Sequence, residues 1–426
     1  MKGPIFKDSN EQQFYYSPST GRIIPIPKGI NLENLIEEKT CFKFKFNPQE
    51  VRRKLDEERE SIILETTEQC NLSVHTVSIV GIISGKGHTQ KKNMNIETAL
   101  NACKDFLDHS KKTGFRMISF YGGEPTLNFE LIEKIVLTYE QEKGLGFSVS
   151  TNGTKLKDYA KFIQDHRIFV AVSLDGPKGI HDKNRVSKEK KGSYDEIMKG
   201  LNALDDSFKK HHLSFSATIK DPEDFMSCFE FFSNNFQNNA FRVGFVKFLD
   251  SPKKEVMATR KDFERLKNIY LQMVTNNNKI PTFLSFLFEE GLNLIDNRVR
   301  NYNEEELSCL HSCIPGVRKL FITTEGKYYP CEKLAYPELE IGDNKQGIDR
   351  DKVLGLLKFV IDKENDYCST CWAGTICNSC ILLESRKEGK YDQERLCQNC
   401  DKKRNSIIDY LSLYADLKKV KKNERR

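Results

Sequence analysis

Hydrophobic and polar positions recur at two periods along this chain, and the places where the period changes mark its divisions. From Ser61 to about Asp250, runs that alternate every second residue are separated by stretches with the 3.6-residue period of a helix. Ile62–Thr66, Phe115–Phe120, Phe147–Thr151, Phe169–Leu174, Leu213–Ile219 and Phe241–Val246 read as six strands. Ile96, Ala99, Leu100, Cys103 and Leu107 stripe one intervening helix, and Cys103 and Cys228, each inside a helical pattern, read as core residues. Strands alternating with helices predict parallel βα units, so the fold class expected is α/β: a partial (βα)6 TIM-like barrel with its chemistry at the carboxyl ends of the strands.

The flanks are patterned differently. Before the barrel, Phe14–Tyr16 and Arg22–Ile26 bracket a Ser17-Pro18-Ser19-Thr20-Gly21 turn, and in Cys41–Phe46 the three phenylalanines Phe42, Phe44 and Phe46 share one strand face opposite Lys43 and Lys45. Residues 1–60 thus read as a small β-rich element, either a cap over the barrel end or a docking element for a peptide. The barrel is expected over 61–300, a cysteine-rich extension over 301–412 and a basic tail over 413–426. With 38% hydrophobic and 30% charged residues the chain has the composition of a soluble globular protein. No apolar run reaches the length of a membrane span and Met1–Glu11 has no apolar signal core, so a cytoplasmic location without a membrane partner is expected. Nearly all of the formal charge of +6 comes from Lys418, Lys419, Lys421, Lys422, Arg425 and Arg426, which leaves the body without an electrostatic footprint for nucleic acid and the tail as a solvated end.

Thirteen cysteines in a reducing compartment point to metal or redox chemistry rather than a disulfide framework. Ten of them are Cys70, at the end of the first strand, and Cys309, Cys313, Cys331, Cys368, Cys371, Cys377, Cys380, Cys397 and Cys400. At the strand ends the residues become specific: Leu64-Glu65-Thr66-Thr67-Glu68-Gln69-Cys70-Asn71-Leu72 ends the first strand, and Phe120-Tyr121-Gly122-Gly123-Glu124-Pro125 the second. Ser150-Thr151-Asn152-Gly153-Thr154 and Ser173-Leu174-Asp175-Gly176-Pro177, with His181, Asp182 and Arg185, end the next two. In this order they resemble the radical S-adenosylmethionine (radical SAM) enzymes. The resemblance implies a 4Fe-4S cluster on the loop after the first strand, and S-adenosyl-L-methionine held by Gly122, Gly123, Glu124 and Pro125, with Ser173 and Arg185 at its carboxylate or ribose. It gives glycine a reason at 122 and 123, since only glycine lets main chain come that close to a ligand.

The cluster loop departs from the family. Its spacing, Cys-x3-Cys-x2-Cys, puts ligands at positions 70, 74 and 77, where this chain has Cys70, Val74 and Val77. Valine cannot ligate iron, and His75 is off register. Two readings fit. The chain is a relative that has lost this cluster, or its reading frame is shifted locally. Encoded as AGT GTG CAT ACT GTG TCT ATA GTG GGA, one permitted choice, Ser73–Gly81 reads in the neighbouring frame as Cys-Ala-Tyr-Cys-Val-Tyr-Ser-Gly from position 74. The cysteines then fall at 74 and 77, and the original frame must resume before Asn95, where helical periodicity and a cap return.

After Cys309 and Cys313, a Gly326-x4-Cys331 unit is followed by Cys368-x2-Cys371-x5-Cys377-x2-Cys380 and Cys397-x2-Cys400. Paired Cys-x2-Cys units also suit zinc, but beside the barrel motifs they resemble the SPASM extension of radical SAM peptide maturases, which carries two auxiliary clusters. The match has one residue fewer than the family between Cys377 and Cys380. The resemblance implies that Cys309, Cys313, Cys331 and Cys380 hold one auxiliary 4Fe-4S cluster and Cys368, Cys371, Cys377 and Cys397 the other, with Cys400 a spare or replacement ligand. The activity implied is maturation of a ribosomally synthesised precursor peptide: a 5′-deoxyadenosyl radical abstracts hydrogen and thioether links form from peptide cysteines. An external electron donor such as flavodoxin or ferredoxin is implied with it. An anaerobic sulfatase-maturase type of enzyme, and a non-catalytic iron–sulfur or zinc protein that binds a peptide, are the alternatives.

Overall fold

The computed structural model describes residues 2–29, 42–74, 92–245, 253–298, 306–308, 313–387 and 389–423. All six expected barrel strands are present: β1 (Ser61–Thr67), β2 (Arg116–Gly122), β3 (Leu145–Thr151), β4 (Phe169–Ser173), β5 (Leu213–Ile219) and β6 (Ala240–Phe245). Val246 lies outside the described residues. The six pair in parallel in the order β6-β5-β4-β3-β2-β1, and four further strands, β7 (Leu320–Ile322), β8 (Lys327–Tyr329), β9 (Gly342–Asp343) and β10 (Gly347–Ile348), continue the sheet to ten. β7 lies parallel to β1, with Phe321 beside Ile63, so part of the cysteine-rich region is an edge of the barrel sheet. Among the described residues β6 and β10 do not pair, so the sheet is open, as a partial barrel.

Alternation along the strands creates two unlike faces. Ile62, Leu64, Ile118, Phe120, Phe147, Val149, Val170, Val172, Phe215 and Ala217 face the helices and are buried with them in one core. In the helix Ile96–Asp108, Asn95 caps the first turn by accepting from the Thr98 N–H at 2.7 Å, and Ala99, Ala102, Cys103 and Phe106 are buried. Its inward face is turned slightly from the expected stripe, leaving Ile96 at its start exposed. Cys228 is buried in the helix Phe225–Asn235, as expected.

The first 60 residues contain one helix that the sequence pattern missed, Pro48–Glu57. Asn47 caps it, Pro48 sits at its first position, and Val51 and Leu55 are its buried residues. Ile5–Lys7, Gln13–Tyr16 and Ile23–Pro25 form a three-stranded antiparallel sheet. That sheet meets the carboxyl-terminal helix Gln393–Asn423: the Ser412 hydroxyl donates to Lys7 O at 2.6 Å, Ser9 donates to Asp416, and Lys419 pairs with Asp8. Leu413, Tyr414, Ala415 and Asp416 are therefore buried, and this part of the tail packs instead of projecting into solvent. Lys43–Lys45 forms a strand with Phe42 and Phe44 buried and both lysines exposed, although Cys41 lies outside the described residues. One edge of that strand pairs with Glu306–Ser308, and at the other the Asn365 side chain receives the Phe44 N–H and donates to Phe44 O. Among the described residues no helix is long and apolar enough to cross a membrane.

Candidate active site and cysteine clusters

The strand-end motifs converge. After β2, the Gly123 N–H donates to Thr67 O at 2.8 Å and the Glu124 N–H to Gln69 O at 2.7 Å, stitching this turn to the loop that carries Cys70. A Cβ on Gly122, whose φ is +130°, would lie 2.2 Å from Thr67 O, and one on Gly123 would lie 2.2 Å from Gln69 O. The close approach that requires glycine is thus to the chain's own cysteine loop, a reason the sequence alone did not supply. Gly123→Ala is expected to destabilise the protein by about 1–3 kcal/mol through this overpacking. The check is a denaturant titration; an unchanged midpoint would contradict the crowding.

Glu124 is fully buried, and its carboxylate accepts from Thr126 N–H and hydroxyl, from the Thr151 hydroxyl at 2.7 Å and from Asn152 N–H at 2.6 Å. Burial raises its pKa and those bonds oppose the rise. The side chain therefore joins the ends of β2 and β3. Asn152 in turn donates to Asn71 Oδ1 at 2.8 Å and lies 4.0 Å from Cys70 Sγ, while Asn71 donates to the Thr154 hydroxyl. The Cys70 thiol is raised mainly by burial, with Glu124 adding to the rise and Arg185 opposing it, so the three lie within electrostatic reach.

Arg185 forms a bidentate pair with the fully buried Asp175, at 2.8 and 3.1 Å. Asp175 also accepts from Thr218 N–H of β5. His181 Nδ1 accepts from Asp175 N–H, its Nε2 meets the Ser193 hydroxyl, and burial lowers its pKa to about 4, so it stays neutral. Asp182 accepts from Tyr194 N–H. The His181, Asp182 and Arg185 motif is thus a buried scaffold with Arg185 at its edge. The strand Arg185–Ser187 pairs with Leu72–Val74, and Arg185 lies opposite Val74, so the backbone of position 74 is fixed beside this arginine. Val77 and His75 lie outside the described residues, as does the side chain of Val74. At Lys92 the described chain resumes against the same strand end, with Glu68 N–H on Lys92 O and the Thr67 hydroxyl on Asn93 Oδ1.

The concave face of the sheet is a feature the sequence reading missed. Ser119, Ser148, Ser150, Ser173, Ser214, Ser216 and Thr218 alternate with the core residues of β2 to β5, and none of them is buried. Ser150 and Arg242 are exposed. The signal was present in Phe147-Ser148-Val149-Ser150-Thr151 and in Leu213–Ile219, where every second residue is a hydroxyl. Glu65, at the end of β1 on this face, is buried and accepts from Thr324 N–H. Burial raises its pKa to about 7, Glu68 and Glu325 add to the rise, and the Thr324 bond opposes it. A trough lined by hydroxyls, with one guanidinium, suits a polar ligand rather than a packed barrel core.

The carboxyl-terminal thiols fall into two groups. Cys313, Cys331 and Cys380 lie close enough to disfavour one another's thiolates, after burial as the larger cause. Cys368 responds in the same way to Cys371, Cys377 and Cys400, and Cys400 to Cys377, Cys371 and Cys397. Cys400, which the resemblance makes a spare or replacement ligand, falls in the second group with Cys397, and Cys309 lies outside the described residues. Among the described residues no three His, Cys, Asp or Glu side chains converge where a single ion would sit. A 4Fe-4S cube takes each thiolate at a separate iron, so spaced thiols such as these are the kind of donor it requires. The loop after β1 does not fit one, because Cys70 is its one cysteine.

An open parallel sheet with polar strand ends and a cysteine loop defines an α/β fold of the partial-barrel kind. Residues 70–232 match the family model for the Radical SAM superfamily. Over 240 residues the chain is 27% identical to the cysteine-type anaerobic sulfatase-maturating enzyme of Clostridium novyi, covering 53% of this chain and 60% of that one. Over 174 residues it is 30% identical to the Fe-coproporphyrin III synthase of Methanosarcina barkeri, covering 40% of each. The chain thus spans less than two thirds of the length of either relative. Among solved structures, native anSMEcpe with bound AdoMet and Cp18Cys peptide superposes with a TM-score of 0.64 at 18% identity, over 85% of this chain and 99% of that one.

Proposed function

We propose that the chain is a radical SAM maturase whose substrate is a cysteine side chain in a peptide, with S-adenosylmethionine at the strand ends and two auxiliary clusters in the cysteine-rich extension. The observation that carries this reading is the conjunction of an assembled strand-end network, Glu124 to Asn152 to Cys70 and Asp175 to Arg185, with two thiol groups beside it. In the family, S-adenosylmethionine supplies the hydrogen-abstracting species once it is reductively cleaved. The loop after β1 has one thiolate, Cys70, for the cluster that does so. Its own residues bind and orient: the Gly122–Pro125 turn fixes the floor of the site, Arg185 is held by Asp175 in reach of an anionic group, and the hydroxyl trough receives polar substrate backbone.

Two products fit a cysteine substrate. Thioether cross-linking of a ribosomally made peptide keeps the sulfur and removes a pair of hydrogens. Maturation of a sulfatase cysteine, as the printed name of the Clostridium novyi relative has it, is the second reading. The test is mass spectrometry of cysteine-containing peptides incubated anaerobically with S-adenosylmethionine, dithionite and the chain carrying Lys-Cys-Ala-Tyr-Cys-Val-Tyr-Ser-Gly in place of Ser73–Gly81. A cross-linked product that retains its sulfur is expected. Loss of the sulfur would establish the second reading, and peptides unchanged while S-adenosylmethionine is consumed would overturn both.

A further inference from the structure

The second thiol group holds one cysteine more than a cube of four irons can use: Cys368, Cys371, Cys377, Cys397 and Cys400. The helix Gln393–Asn423 distinguishes the last two. Its inward face is set by Leu396, Ile407 and Leu411, all buried in the protein core. Cys400 follows Leu396 by one turn on that face, is half-buried, and packs against the same apolar cluster, Leu334, Val360 and Leu396, as Cys331, Cys368 and Cys380. Arg404, the next turn on, brings Nη1 to 3.8 Å from Cys371 Sγ and is steadied by Asp401 at 2.5 Å. Cys397 is exposed, in the outward row with Asp401 and Asn405, with Tyr391, two residues before the helix, and Cys400 within its electrostatic reach. The two cysteines are roughly 60° apart around the helix and about 4.5 Å apart along it, enough to put one towards the other thiols and the other towards solvent.

We propose that Cys400 is the fourth thiolate of the second auxiliary cluster, with Cys368, Cys371 and Cys377, and that Cys397 stays outside it as a free surface thiol. The resemblance implies instead that Cys397 ligates and that Cys400 is a spare or replacement ligand; the helix geometry favours the replacement. The reason is local: one residue is missing between Cys377 and Cys380, and position along the sequence then no longer tells which turn of the following helix faces the cluster. The inference rests on the reading of these cysteines as iron–sulfur ligands.

The full chain, reconstituted anaerobically with iron and sulfide, is treated with iodoacetamide. The clusters are then removed, the remaining thiols are marked with a second reagent, and the peptides are mapped by mass spectrometry. Cys397 is expected to carry the first label and Cys368, Cys371, Cys377 and Cys400 the second. Cys397→Ser is expected to keep the iron content of the parent chain, and Cys400→Ser to lose about four iron atoms. Protection of Cys397, alone or together with Cys400, or labelling of both, would overturn the assignment. Labelling of the unsubstituted chain decides even where a variant does not fold. A reconstituted chain without labile sulfide would overturn the cluster reading itself, and is told apart by that measurement whichever thiol is labelled.

Discussion

Incubated anaerobically with iron, sulfide, dithionite and S-adenosylmethionine, the chain as it stands is expected to form no detectable 5′-deoxyadenosine, while the chain with Lys-Cys-Ala-Tyr-Cys-Val-Tyr-Ser-Gly in place of Ser73–Gly81 is expected to form it. The difference rests on two side chains. Val74 and Val77 offer no ligand atom, and Cys70 by itself cannot hold a four-iron cluster. Around this gap the other parts are in place: Asn152 lies against Cys70, Glu124 ties the ends of β2 and β3, and the backbone at position 74 is laddered to Arg185. A set of ligands that acts as a unit gives a gain of about 10³-fold or more when it is completed. Chromatography of the quenched mixtures measures it. Cleavage by the unaltered chain, or none by a replaced chain that has taken up the added iron, would sink this expectation.

Arg185→Ala is expected to destabilise the protein by about 3–5 kcal/mol, because it strands the Asp175 carboxylate in the core. Asp175 is fully buried, and Thr218 N–H would be its remaining side-chain partner described in the structure. Arg185→Lys should recover only part of the loss, since an ammonium cannot reproduce the two parallel bonds of the guanidinium. Arg185→Met with Asp175→Asn should cost less than Arg185→Ala alone, as removing both charges leaves no uncompensated ion. Urea titrations followed by circular dichroism compare the three; equal midpoints for Arg185→Ala and the parent chain would show that the pair is not holding this corner of the barrel.

Much of the barrel was legible because each strand carries its own period. Leu213–Ile219 was bounded correctly at both ends, since every second residue is apolar and buried. The helix Pro48–Glu57 is not among the elements read from the sequence, although Asn47 and Pro48 announce it. The continuation of the sheet through Leu320–Ile322 was not legible: three residues are too few to show a period, and their place beside β1 is fixed by contacts more than 250 residues distant in sequence. At the site, the motif residues came together as their order implied. What the order hid was the division of labour. Gly122 and Gly123 are demanded by the chain's own loop, and Glu124 is used up in joining two strands. The open hydroxyl face went unread because an expected barrel interior is ordinarily filled with apolar side chains.

The iron content of the two chains tests most directly whether this site lacks only two thiolates. Both are reconstituted and desalted under strict anaerobiosis, and iron and labile sulfide are measured per chain. The unaltered chain is predicted to hold at most about eight iron atoms, in two clusters, and the chain with Ser73–Gly81 replaced about four more, with sulfide rising in step. An unchanged iron and sulfide count after the replacement would contradict it.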